Sequence, residues 1–508
     1  MPLALVSLYD KTGFLPFAQR LVQAGWTFLA SGGTAEALRS AGIEPLDVAA
    51  YTGSPEMLGG RVKTLHPAIH ASILARPTDA DLAELEARGW KPIDMVIVNL
   101  YPFEMTAADP SAGADEIIEQ IDIGGVALLR AAAKNFARVC VVCDMTDYDA
   151  VAGEAEAGGI SLETRQRLAA KAFARTADYD AAIARWFSRQ EAQPSGSFVV
   201  EGRVERPLRY GENPHQKAFF VMPADSGKDQ GPLGGRVLAG KELSYNNILD
   251  LDAAWRAVLD FERPAAVIVK HLSPCGAAEA DELTQAYRLA LECDPISAFG
   301  GIAAFNRPLD AATAGALKDL FLECIAAPAF EEEARRLLAS KKNLRLVEAD
   351  PALYARVRQE LRSAAGGILV QEPDRGDPAD TELRVVSERK PTEEELAALR
   401  FAWTLVRHVK SNAIVLARGR AAVGIGGGQT NRIDAVRQAC ERAGMRAKGA
   451  VMASDAFFPF PDGVEAAAAA GVTAVIHPGG SIRDDEVLAA ANRLGLAVIH
   501  TGIRHFRH

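Results

Sequence analysis

The sequence predicts an α/β protein with two units, on three observations. Short apolar runs alternate with longer segments of helical periodicity, and turn-forming residues separate them. The apolar runs contain few polar residues, which is typical of strands buried on both faces of a mainly parallel sheet. Hydrophobic residues make up 49% of the 508-residue chain and charged residues 24%, so there is enough apolar material for more than one core.

The first unit begins with an apolar strand at Leu3–Leu8 and a helix at Lys11–Gln23, in which apolar residues recur every three or four positions. The next strand, Trp26–Ala30, is followed by a glycine pair and a second helix at Ala35–Ser40. The same criteria predict strands at Met95–Leu100 and Val139–Val142 and a long helix over 161–190.

A polar, flexible segment at Gln193–Ser197 predicts the domain boundary, so that the first unit covers 1–195 and the second 196–508. The second unit again alternates strands and helices, with no evident repeat of fixed period. A stretch over 371–391 is rich in Asp, Glu, Arg and Pro and predicts a solvated connector between two α/β lobes. The strand candidates of this unit are Ala265–Val269, Gly301–Phe305, Ala413–Ala417 and Val472–Ile476.

The charge balance and the cysteines argue against several classes of protein. With 56 basic and 66 acidic residues the net charge is −10, which disfavours a dedicated binder of nucleic acid or of an anionic membrane surface. No apolar run approaches the ~20 residues of a membrane span, and the N-terminus does not look like a secretory leader. The six cysteines are few and scattered, so we expect reduced thiols and a cytoplasmic location.

The segment Ser31-Gly-Gly-Thr34 lies between a predicted strand and a predicted helix. Glycines there expose backbone N–H groups, and the helix N-terminus adds a positive dipole, which suits a phosphate. A tight turn with Thr34 as the N-cap fits the segment equally well. The loop is neither a Walker A motif nor a G-x-G-x-x-G fingerprint.

A second glycine-led segment contains Arg61, Lys63 and Thr64 within four residues. Two cations and a hydroxyl so close together predict another anion contact. His66 and His70 follow at the spacing of metal ligands on a helix. A proline lies between them and no third ligand is evident, so we interpret them as structural histidines.

Three residues of the first unit form a set suited to acid–base chemistry. Tyr101 stands at the end of a predicted strand, Asp122 precedes a glycine pair, and Lys134 lies in a helical segment. A phenol, a carboxylate and an amine can all transfer protons. Each taken alone is more typical of a surface or capping residue.

In the second unit, Lys270 and His271 end a predicted strand, the position at which open α/β sheets bind ligands. They supply a cation for an oxyanion and a base near neutral pH. Pro274-Cys275 matches part of a zinc-deaminase signature, but the second cysteine and the H-x-E are missing, so no catalytic zinc is expected. Gly424–Arg432 lacks the third glycine of a dinucleotide loop, which favours a turn that presents Arg432 to a ligand over an NAD site.

Two further segments of the second unit combine aromatic and charged residues. Ser454–Asp462 contains three phenylalanines and two carboxylates, which fits an aromatic wall for a heterocycle or a turn in the core. The terminal segment Arg504–His508 alternates cations with an aromatic residue after an apolar run, so we expect it to dock onto the fold.

These motifs together resemble one family over essentially the whole chain and in the same order. That family is the bifunctional purine biosynthesis proteins, which combine AICAR (phosphoribosylaminoimidazolecarboxamide) formyltransferase with IMP cyclohydrolase. In the first unit the resemblance rests on Ser7–Gly13, Ser31–Thr34, Gly60–Pro67, Asn99–Phe103 and Ile121–Asn135. In the second it rests on Arg209–Gln216, Lys270-His271, Asp294–Gly301, Lys410–Asn412, Ser454–Phe460 and Arg504–His508. The chain departs from the family at Pro461, where an arginine is common, and at Tyr9, which replaces a smaller residue.

The resemblance implies an N-terminal, three-layer domain similar to methylglyoxal synthase and a C-terminal pair of lobes similar to cytidine deaminase but without its zinc. It also implies two consecutive reactions, the last two of de novo purine biosynthesis. The formyl group of 10-formyltetrahydrofolate passes to the 5-amino group of AICAR and gives FAICAR. The N-terminal domain then closes FAICAR to IMP with loss of water.

For formyl transfer, the resemblance makes His271 the general base, Lys270 the group that stabilises the oxyanion, and Asn412 the residue that orients the base or the substrate. The residues it implies as contacts to AICAR are Arg209, Tyr210, Gly300, Glu323, Arg432, Phe457 and Arg504. Those it implies as contacts to the folate are Ile433, Asp462, Ser481 and Ile482.

For ring closure, the resemblance makes Lys134 the proton-transfer group, with Tyr101 and Asp122 nearby. The residues it implies as contacts to the nucleotide are Ser7, Lys11, Ser31, Gly32, Gly33, Thr34, Arg61, Lys63 and Thr64.

The resemblance also implies which partners and cofactors the chain has. The small molecules are AICAR, FAICAR, IMP and the folate, and a homodimer shares its formyltransferase sites across the subunit interface. No catalytic metal is implied, whereas a structural monovalent cation is allowed. Two competing hypotheses are a non-catalytic nucleotide sensor that uses the first phosphate pocket and a Rossmann oxidoreductase. The presence of Lys134, Lys270, His271 and Asn412 favours catalysis.

Overall fold

The computed structural model describes residues 1–188, 200, 202–223, 230–357 and 359–508. Contacts between Cα atoms group Met1–Arg203 into one compact unit and Val204–Met222 with Ser226–His508 into a second. The boundary segment predicted at Gln193–Ser197 lies outside the described residues, so its position stays a prediction.

The first unit is built on a five-stranded sheet in which all strands are parallel, in the order β3-β2-β1-β4-β5. The strands predicted from apolar runs are confirmed to within a residue or two, because uninterrupted aliphatic residues can be buried on both faces of a sheet. The strands are β1 (Leu3–Leu8), β2 (Thr27–Ala30), β3 (Leu46–Asp47), β4 (Met95–Asn99) and β5 (Cys140–Val142).

Helices cover this sheet, and one of them begins earlier than predicted. α2 starts at Gly32 instead of Ala35, so the glycine pair belongs to its first turn. The helices are α1 (Phe14–Gln23), α2 (Gly32–Ser40), α3 (Val48–Thr52), α4 (Pro67–Leu74), α5 (Asp79–Glu86), α6 (Phe103–Ala108), α7 (Ala114–Glu119), α8 (Gly124–Lys134), α9 (Tyr148–Glu156) and α10 (Leu162–Ser188).

The strand order of this sheet reverses beside β1. The chain passes from β1 outward to β2 and β3, and then returns to place β4 and β5 on the other side. At such a switch point the crossover connections diverge and leave a crevice at the carboxyl ends of the strands. Because β1 ends at Leu8 and β4 at Asn99, the segments that follow these two residues border the crevice.

The second unit is built on a twelve-stranded mixed sheet, and its four predicted strands are confirmed within one or two residues. The sheet order is β16-β21-β20-β19-β17-β18-β10-β9-β11-β12-β13-β8. Two separate hairpins are β6 (Arg203–Leu208) with β7 (Ala218–Met222) and β14 (Glu360–Ala364) with β15 (Gly367–Gln371). The strands of the large sheet are β8 (Arg236–Ala239), β9 (Ala265–Lys270), β10 (Ser273–Glu279), β11 (Gly301–Phe305), β12 (Leu322–Ala327), β13 (Arg345–Glu348), β16 (Arg384–Val385), β17 (Ile414–Arg418), β18 (Ala421–Gly426), β19 (Val451–Ser454), β20 (Ala474–His477) and β21 (Ala497–His500).

The two halves of this sheet repeat the same succession of elements, although the sequence shows no evident repeat. Each half has a helix, an antiparallel hairpin, a second helix and then three parallel strands. The hairpins β9–β10 and β17–β18 meet at the pair Ala278–Ala421, which joins the halves into one continuous sheet. The helices of this unit are α11 (Tyr245–Leu259), α12 (Leu283–Cys293), α13 (Pro295–Ala298), α14 (Ala311–Ala316), α15 (Glu332–Ala339), α16 (Pro351–Arg356), α17 (Glu393–Val406), α18 (Arg432–Ala443), α19 (Asp462–Ala469) and α20 (Asp484–Arg493).

The C-terminal tail is bound to the segment that the sequence predicts as a connector. His505 is buried, with Nδ1 2.6 Å from Asp374 Oδ2 and Nε2 2.9 Å from Asp377 Oδ1. Both ring nitrogens donate at once only in the imidazolium form. Burial alone would lower the pKa of His505, but the hydrogen bonds to the two carboxylates outweigh it and raise the pKa to about 9. Trp403 Nε1 donates to Asp377 as well, at 2.8 Å.

This ion cluster predicts a pH-dependent contribution to stability. The pKa of His505 is higher in the folded protein than in the unfolded chain, so protonation of this residue stabilises the fold. This stabilisation is fully present below about pH 6.5 and is lost as the pH rises through about 9. We therefore expect His505→Gln to lower the free energy of unfolding by on the order of 2 kcal/mol at pH 6.5. Thermal unfolding from pH 6.5 to 9.5 should show the difference from the parent shrinking. The exposed His215 provides the control variant His215→Gln, and a difference that grew with pH would contradict this account.

Candidate active sites

The first candidate site is a cavity of about 780 Å³ at the switch point of the five-stranded sheet. It lies where β1 and β4 end and where α2 and α8 begin. The residues of the predicted nucleotide site that line it are Ser7, Lys11, Ser31, Gly33, Thr34, Arg61, Lys63 and Thr64, together with the predicted acid–base residues Tyr101 and Asp122. The structure thus collects residues from five separate sequence segments.

The N-terminus of α2 is open toward two lysines. Ser31 occupies the N-cap position, and its side chain makes no capping hydrogen bond. A Cβ added to Gly32 would lie 3.3 Å from Lys63 Nζ, and one added to Gly33 would lie 3.8 Å from Lys11 Nζ. The missing side chain of Gly32 lets Lys63 approach the helix terminus closely, and Lys11 lies nearby, an arrangement that suits a phosphate.

Thr34 is not the N-cap, so the interpretation of this segment as a turn capped by Thr34 is wrong. Its buried hydroxyl accepts a hydrogen bond from Leu8 N at 3.2 Å and lies 3.4 Å from Leu8 O. These contacts join the first turn of α2 to the end of β1, and so fix the glycine pair at the edge of the cavity.

Asp122 has the environment of a group that can transfer a proton. Its Oδ1 accepts a hydrogen bond from Gly125 N at 2.6 Å, and its own N–H donates to the hydroxyl of Tyr179 at 2.9 Å. Burial raises the pKa of the Asp122 carboxyl, and hydrogen bonds from the backbone of Gly125 and Tyr101 only partly offset this effect. A carboxyl group with a raised pKa is a candidate acid or base.

The two cations at the rim of this cavity are paired with carboxylates. Lys63 Nζ lies 2.7 Å from Glu56 Oε1, and Arg61 contacts Glu119. Because both pairs are partly exposed, each holds its cation only weakly. An anionic ligand can therefore compete for the same groups.

Lys134 does not line this cavity. It is the exposed last residue of α8, whereas Asp122 precedes the first turn of that helix. At a rise of about 1.5 Å per residue, the two ends of α8 are about 15 Å apart. Lys134 instead borders an apolar cleft that Phe173 and Arg130 also line. The structure does not bring it to Tyr101 and Asp122, and its role in proton transfer stays a prediction.

The two histidines of the first unit are placed differently from metal ligands on one helix. His66 is the N-cap of α4, with Nδ1 accepting a hydrogen bond from Ala68 N at 3.1 Å. His70 lies within the helix, where burial lowers its pKa. In the part of the chain that the structure describes, no group of three or more His, Cys, Asp or Glu residues is arranged to hold a metal ion.

Sequence reasoning missed Asn99 at the first cavity. Its Oδ1 accepts hydrogen bonds from Tyr9 N at 2.7 Å and Asp10 N at 3.3 Å, and its Nδ2 donates to Asp10 O at 2.5 Å. These bonds shape the loop that carries Lys11. The sequence contained a signal for this role, since Asn99 is the last residue of β4 and Tyr101 follows two residues later.

The second candidate site is a cavity of about 680 Å³ in the second unit, next to the end of β9. Of the predicted residues it contains Lys270, His271, Arg209, Tyr210, Gly300 and Glu323. β9 runs antiparallel to β11, so the end of β9 lies beside the amino ends of β11 and β12. The cavity is therefore at the amino ends of these two strands, whereas the sequence analysis expected the carboxyl ends of parallel strands.

Lys270 is held by backbone carbonyl groups. Its Nζ donates to Phe299 O at 3.1 Å and to Gly300 O at 2.8 Å. Gly300 has φ +69°, and a Cβ there would lie 3.0 Å from the ammonium group, so this position favours glycine. An ammonium group has three protons, and these contacts leave one for a ligand.

His271 lies in a two-residue turn between β9 and β10. Both turn residues have left-handed backbones, with φ +53° at His271 and +64° at Leu272. Turns of this kind favour Asn-Gly, and side chains such as these cost about 1–2 kcal/mol per residue. Asp250, which the sequence analysis missed, accepts hydrogen bonds from both turn N–H groups and lines the cavity.

Other polar groups orient the predicted substrate contacts. The Arg209 guanidinium stacks on the Tyr210 ring at 4.6 Å and donates to its hydroxyl at 2.6 Å. Glu323 Oε2 accepts hydrogen bonds from Asn247 at 3.0 Å and from Arg345 at 3.1 Å. Asn247 and Arg345 also line the cavity and carried no sequence signal of their own.

Arg432, which is buried, and Asn412, which is half-buried, belong to a separate network in the other half of the sheet. Arg432 donates to Asp455 Oδ1 at 2.5 Å, to Ser454 Oγ at 2.8 Å and to Asn412 Oδ1 at 2.6 Å. Asn412 Nδ2 donates to Gln429 O at 2.9 Å. Arg432 is 7% exposed, so it holds this network together more than it faces a cavity.

The remaining predicted residues follow the strands of that half. Asn412 precedes β17, whose first residue, Ile414, pairs with Ser454 at the end of β19. β19, β20 and β21 are parallel, so the segments after their ends share this edge of the sheet. Ile482 is fully exposed there. The predicted residues at this edge are Phe457, Asp462, Ser481, Ile482 and Arg504, together with Ile433 in the first turn of α18.

The cavity that contains Lys270 and His271 and the network that contains Asn412 lie along the same edge of the twelve-stranded sheet, but they do not meet within one chain. Successive antiparallel pairings from β9 through β10 and β18 to β17 place Lys270 and Asn412 at the same edge. Three strand spacings of about 4.8 Å separate them by roughly 14 Å or more. The cavity of His271 contains neither Asn412 nor Arg432.

Two family models match the chain. The model described as AICARFT/IMPCHase bienzyme matches residues 132–442, and the model described as MGS-like domain matches residues 13–127. The first match covers more than half of the chain. This chain belongs to the AICARFT/IMPCHase bienzyme family.

Curated relatives match the bienzyme along its whole length. The proteins named Bifunctional purine biosynthesis protein PurH from Myxococcus xanthus and Sorangium cellulosum are 53% and 51% identical to it, over 100% and 99% of both chains. The protein of that name from Synechocystis is 49% identical over 100% of this chain and 99% of its own. A solved structure described as "Crystal structure of ForH" is 41% identical, with a TM-score of 0.33, and covers 37% of this chain and 98% of that chain.

The bienzyme has AICAR formyltransferase and IMP cyclohydrolase activities, and catalyses the last two steps of purine biosynthesis with a folate formyl donor. The predicted fold is confirmed as well, with an MGS-like N-terminal domain and a C-terminal formyltransferase region. The competing hypotheses of a non-catalytic sensor and of an oxidoreductase are therefore wrong.

Proposed function

We propose that the edge of the twelve-stranded sheet performs formyl transfer from 10-formyltetrahydrofolate to the 5-amino group of AICAR. The lone pair of this amine is delocalised into the imidazole and the carboxamide, so it must lose a proton as it attacks. His271 is the general base that takes this proton. Lys270 donates its remaining N–H to the oxyanion of the tetrahedral intermediate. The intermediate collapses as the bond between the formyl carbon and the folate nitrogen breaks, and tetrahydrofolate leaves as that nitrogen takes up a proton. The observation that carries this assignment is the clamping of Lys270 by Phe299 and Gly300 next to His271.

Around these groups, Arg209, Tyr210, Gly300 and Glu323 bind AICAR. Glu323 is oriented by Asn247 and Arg345. The folate lies against the exposed edge at Ser481 and Ile482, with Ile433 and Asp462 as further contacts.

The bienzyme acts as a homodimer in this proposal. In one chain the group that contains Asn412 is separated from the cavity of His271. A second subunit brings its own edge to this cavity, so that the partner subunit's Asn412 orients the base or AICAR. Phe457 and Arg504 at that edge complete the substrate site in the same way, and the buried Arg432 holds Asn412 in place.

The cavity of the first unit closes FAICAR to IMP. Its phosphate binds at the N-terminus of α2, against Lys11 and Lys63 and the turn Ser31–Thr34. The carboxamide nitrogen attacks the formyl carbon, and one of its protons passes to the formyl oxygen to give a carbinolamine. The former formamide nitrogen then loses its proton as the C=N bond forms, and the hydroxyl takes up a proton and leaves as water. Asp122 and Tyr101 carry out these proton transfers, and the raised pKa of Asp122 supports this role.

Ser7, Arg61 and Thr64 provide further nucleotide contacts. The family resemblance assigns the proton transfer to Lys134, which in this structure stands at the far end of α8. A direct comparison of variants at Asp122 and Lys134 decides between the two assignments.

The proposed location is the cytoplasm, and no catalytic metal takes part, while a structural monovalent cation is allowed. Burial raises the pKa values of Cys140, Cys275, Cys293 and Cys324 to about 12, so these thiols stay protonated and unreactive. Among the described residues, no helix combines the length and apolar character needed to cross a membrane.

The test supplies AICAR and 10-formyltetrahydrofolate to the intact protein and follows tetrahydrofolate and IMP. We expect both products to form in equal amounts once FAICAR reaches its steady state. FAICAR supplied alone should give IMP without the folate. Tetrahydrofolate release without IMP would contradict ring closure by this chain.

A further inference from the structure

The turn that carries His271 cannot hold its conformation by its own sequence. Lys270 and Ser273 pair across the hairpin, so only His271 and Leu272 connect β9 and β10. Both have positive φ, the left-handed region that favours glycine or asparagine. Leu272 is half-buried and packs against the core of the unit, which explains why a side chain is present there.

Asp250 supplies the missing support. It lies on α11, and its two carboxylate oxygens accept one hydrogen bond each, from His271 N at 3.2 Å and from Leu272 N at 2.6 Å. These are the backbone N–H groups of the two left-handed residues themselves. A charged acceptor that binds both makes the turn conformation the favourable one.

The support extends to both residues assigned to formyl transfer. Lys270 directly precedes the turn and His271 is its first residue, so the direction of both side chains depends on the backbone that Asp250 holds. Asp250 itself belongs to the wall of the same cavity. Its neighbour on the helix, Asp252, points to another partner and pairs with Arg256 at 2.8 Å.

We propose that Asp250 is a positioning residue of the formyltransferase site, which holds the strained His271-Leu272 turn so that the imidazole and the Lys270 ammonium face AICAR. This inference rests on the proposed roles of His271 and Lys270. Asp250 acts through the backbone of the turn, and takes no proton from the substrate.

A double-mutant cycle tests the proposal. Asp250→Ala is expected to lower kcat for formyl transfer by about 100-fold, with KM for AICAR and for 10-formyltetrahydrofolate within about threefold, because a misplaced base costs rate more than binding. Leu272→Gly removes the left-handed penalty at one turn residue. In the Leu272→Gly background, Asp250→Ala should lower kcat for formyl transfer only about tenfold, since the turn then needs less support.

Two further variants keep the test decisive. Asp250→Asn retains one acceptor oxygen and nearly the same shape, so it should fold even if the alanine variant does not. Its kcat for formyl transfer should fall about tenfold. Asp252→Ala is the matched control on the same helix and should stay within about twofold of the parent. Cyclohydrolase activity, measured on FAICAR in every variant, should not change.

Equal losses from Asp250→Ala in the two backgrounds would overturn the proposal, as would an unchanged kcat. Failure of the proposed function is a distinct result, because it would appear as formyl transfer that survives His271→Ala. A parallel loss of cyclohydrolase activity would indicate general unfolding and would also count against a positioning role.

Discussion

Replacing His271 by alanine is expected to lower kcat for formyl transfer by about 10³-fold, the usual contribution of a general base. The AICAR amine is too weak a nucleophile to attack without losing a proton, and His271 is the base next to the clamped Lys270. Binding should change little, because Arg209, Tyr210 and Glu323 remain. The measurement is steady-state release of tetrahydrofolate at saturating AICAR.

The same variant carries its own control. The cyclohydrolase cavity belongs to the first unit and contains no residue of the β9–β10 turn. His271→Ala should therefore convert added FAICAR to IMP at the parent rate. Loss of both activities would contradict separate sites, and retention of formyl transfer would remove His271 from the mechanism.

Replacing Asp122 by asparagine is expected to lower the rate of FAICAR closure by about 10²-fold or more, so that FAICAR accumulates from AICAR and 10-formyltetrahydrofolate. Asparagine keeps the oxygen that accepts the N–H of Gly125, so the start of α8 should fold as before. What is lost is the proton that a carboxyl group with a raised pKa can exchange. Formyl transfer should be unaffected.

Matched variants make this result specific. Asp115→Asn changes an exposed carboxylate of α7 outside the cavity and should leave ring closure unchanged. Lys134→Ala tests the proton-transfer role that the family resemblance assigns to that lysine. A loss as large as that of Asp122→Asn would show that a group at the far end of α8 takes part, whereas full activity of Asp122→Asn would exclude the carboxyl group.

Eight strands were predictable because each is an apolar run that can be buried on both faces, whereas strands such as β3 and β14 are too short or too exposed to have one. The start of α2 was not, since glycines are poor helix formers and a local pattern assigns them to a loop. Gly32 and Gly33 are nonetheless in the helix, and the lack of a side chain at Gly32 lets the Lys63 ammonium group approach its first turn. The repeat of the second unit was hidden because its halves share an order of elements and not a recognisable sequence.

Most of the first site was predictable from motifs, and the exceptions have a physical cause. Asp122 and Lys134 are close in sequence, yet a rigid helix separates them by its whole length. Asp250 lies in an ordinary amphipathic helix, and nothing local distinguishes it from Asp252. Its role exists only because the β9–β10 turn happens to reach it.

The sequence by itself determined the class of fold, the positions of eight apolar strands and the family, because these depend on local periodicity and on the order of motifs. It also explains how an acidic chain of net charge −10 can act on phosphorylated substrates, since its cations recur in those motifs. Only the tertiary structure decided which of these residues share a cavity. Contacts such as those of Asp250 with the His271 turn, and the separation of Asn412 from that turn, arise when distant segments are brought to one sheet edge, and no local pattern encodes them.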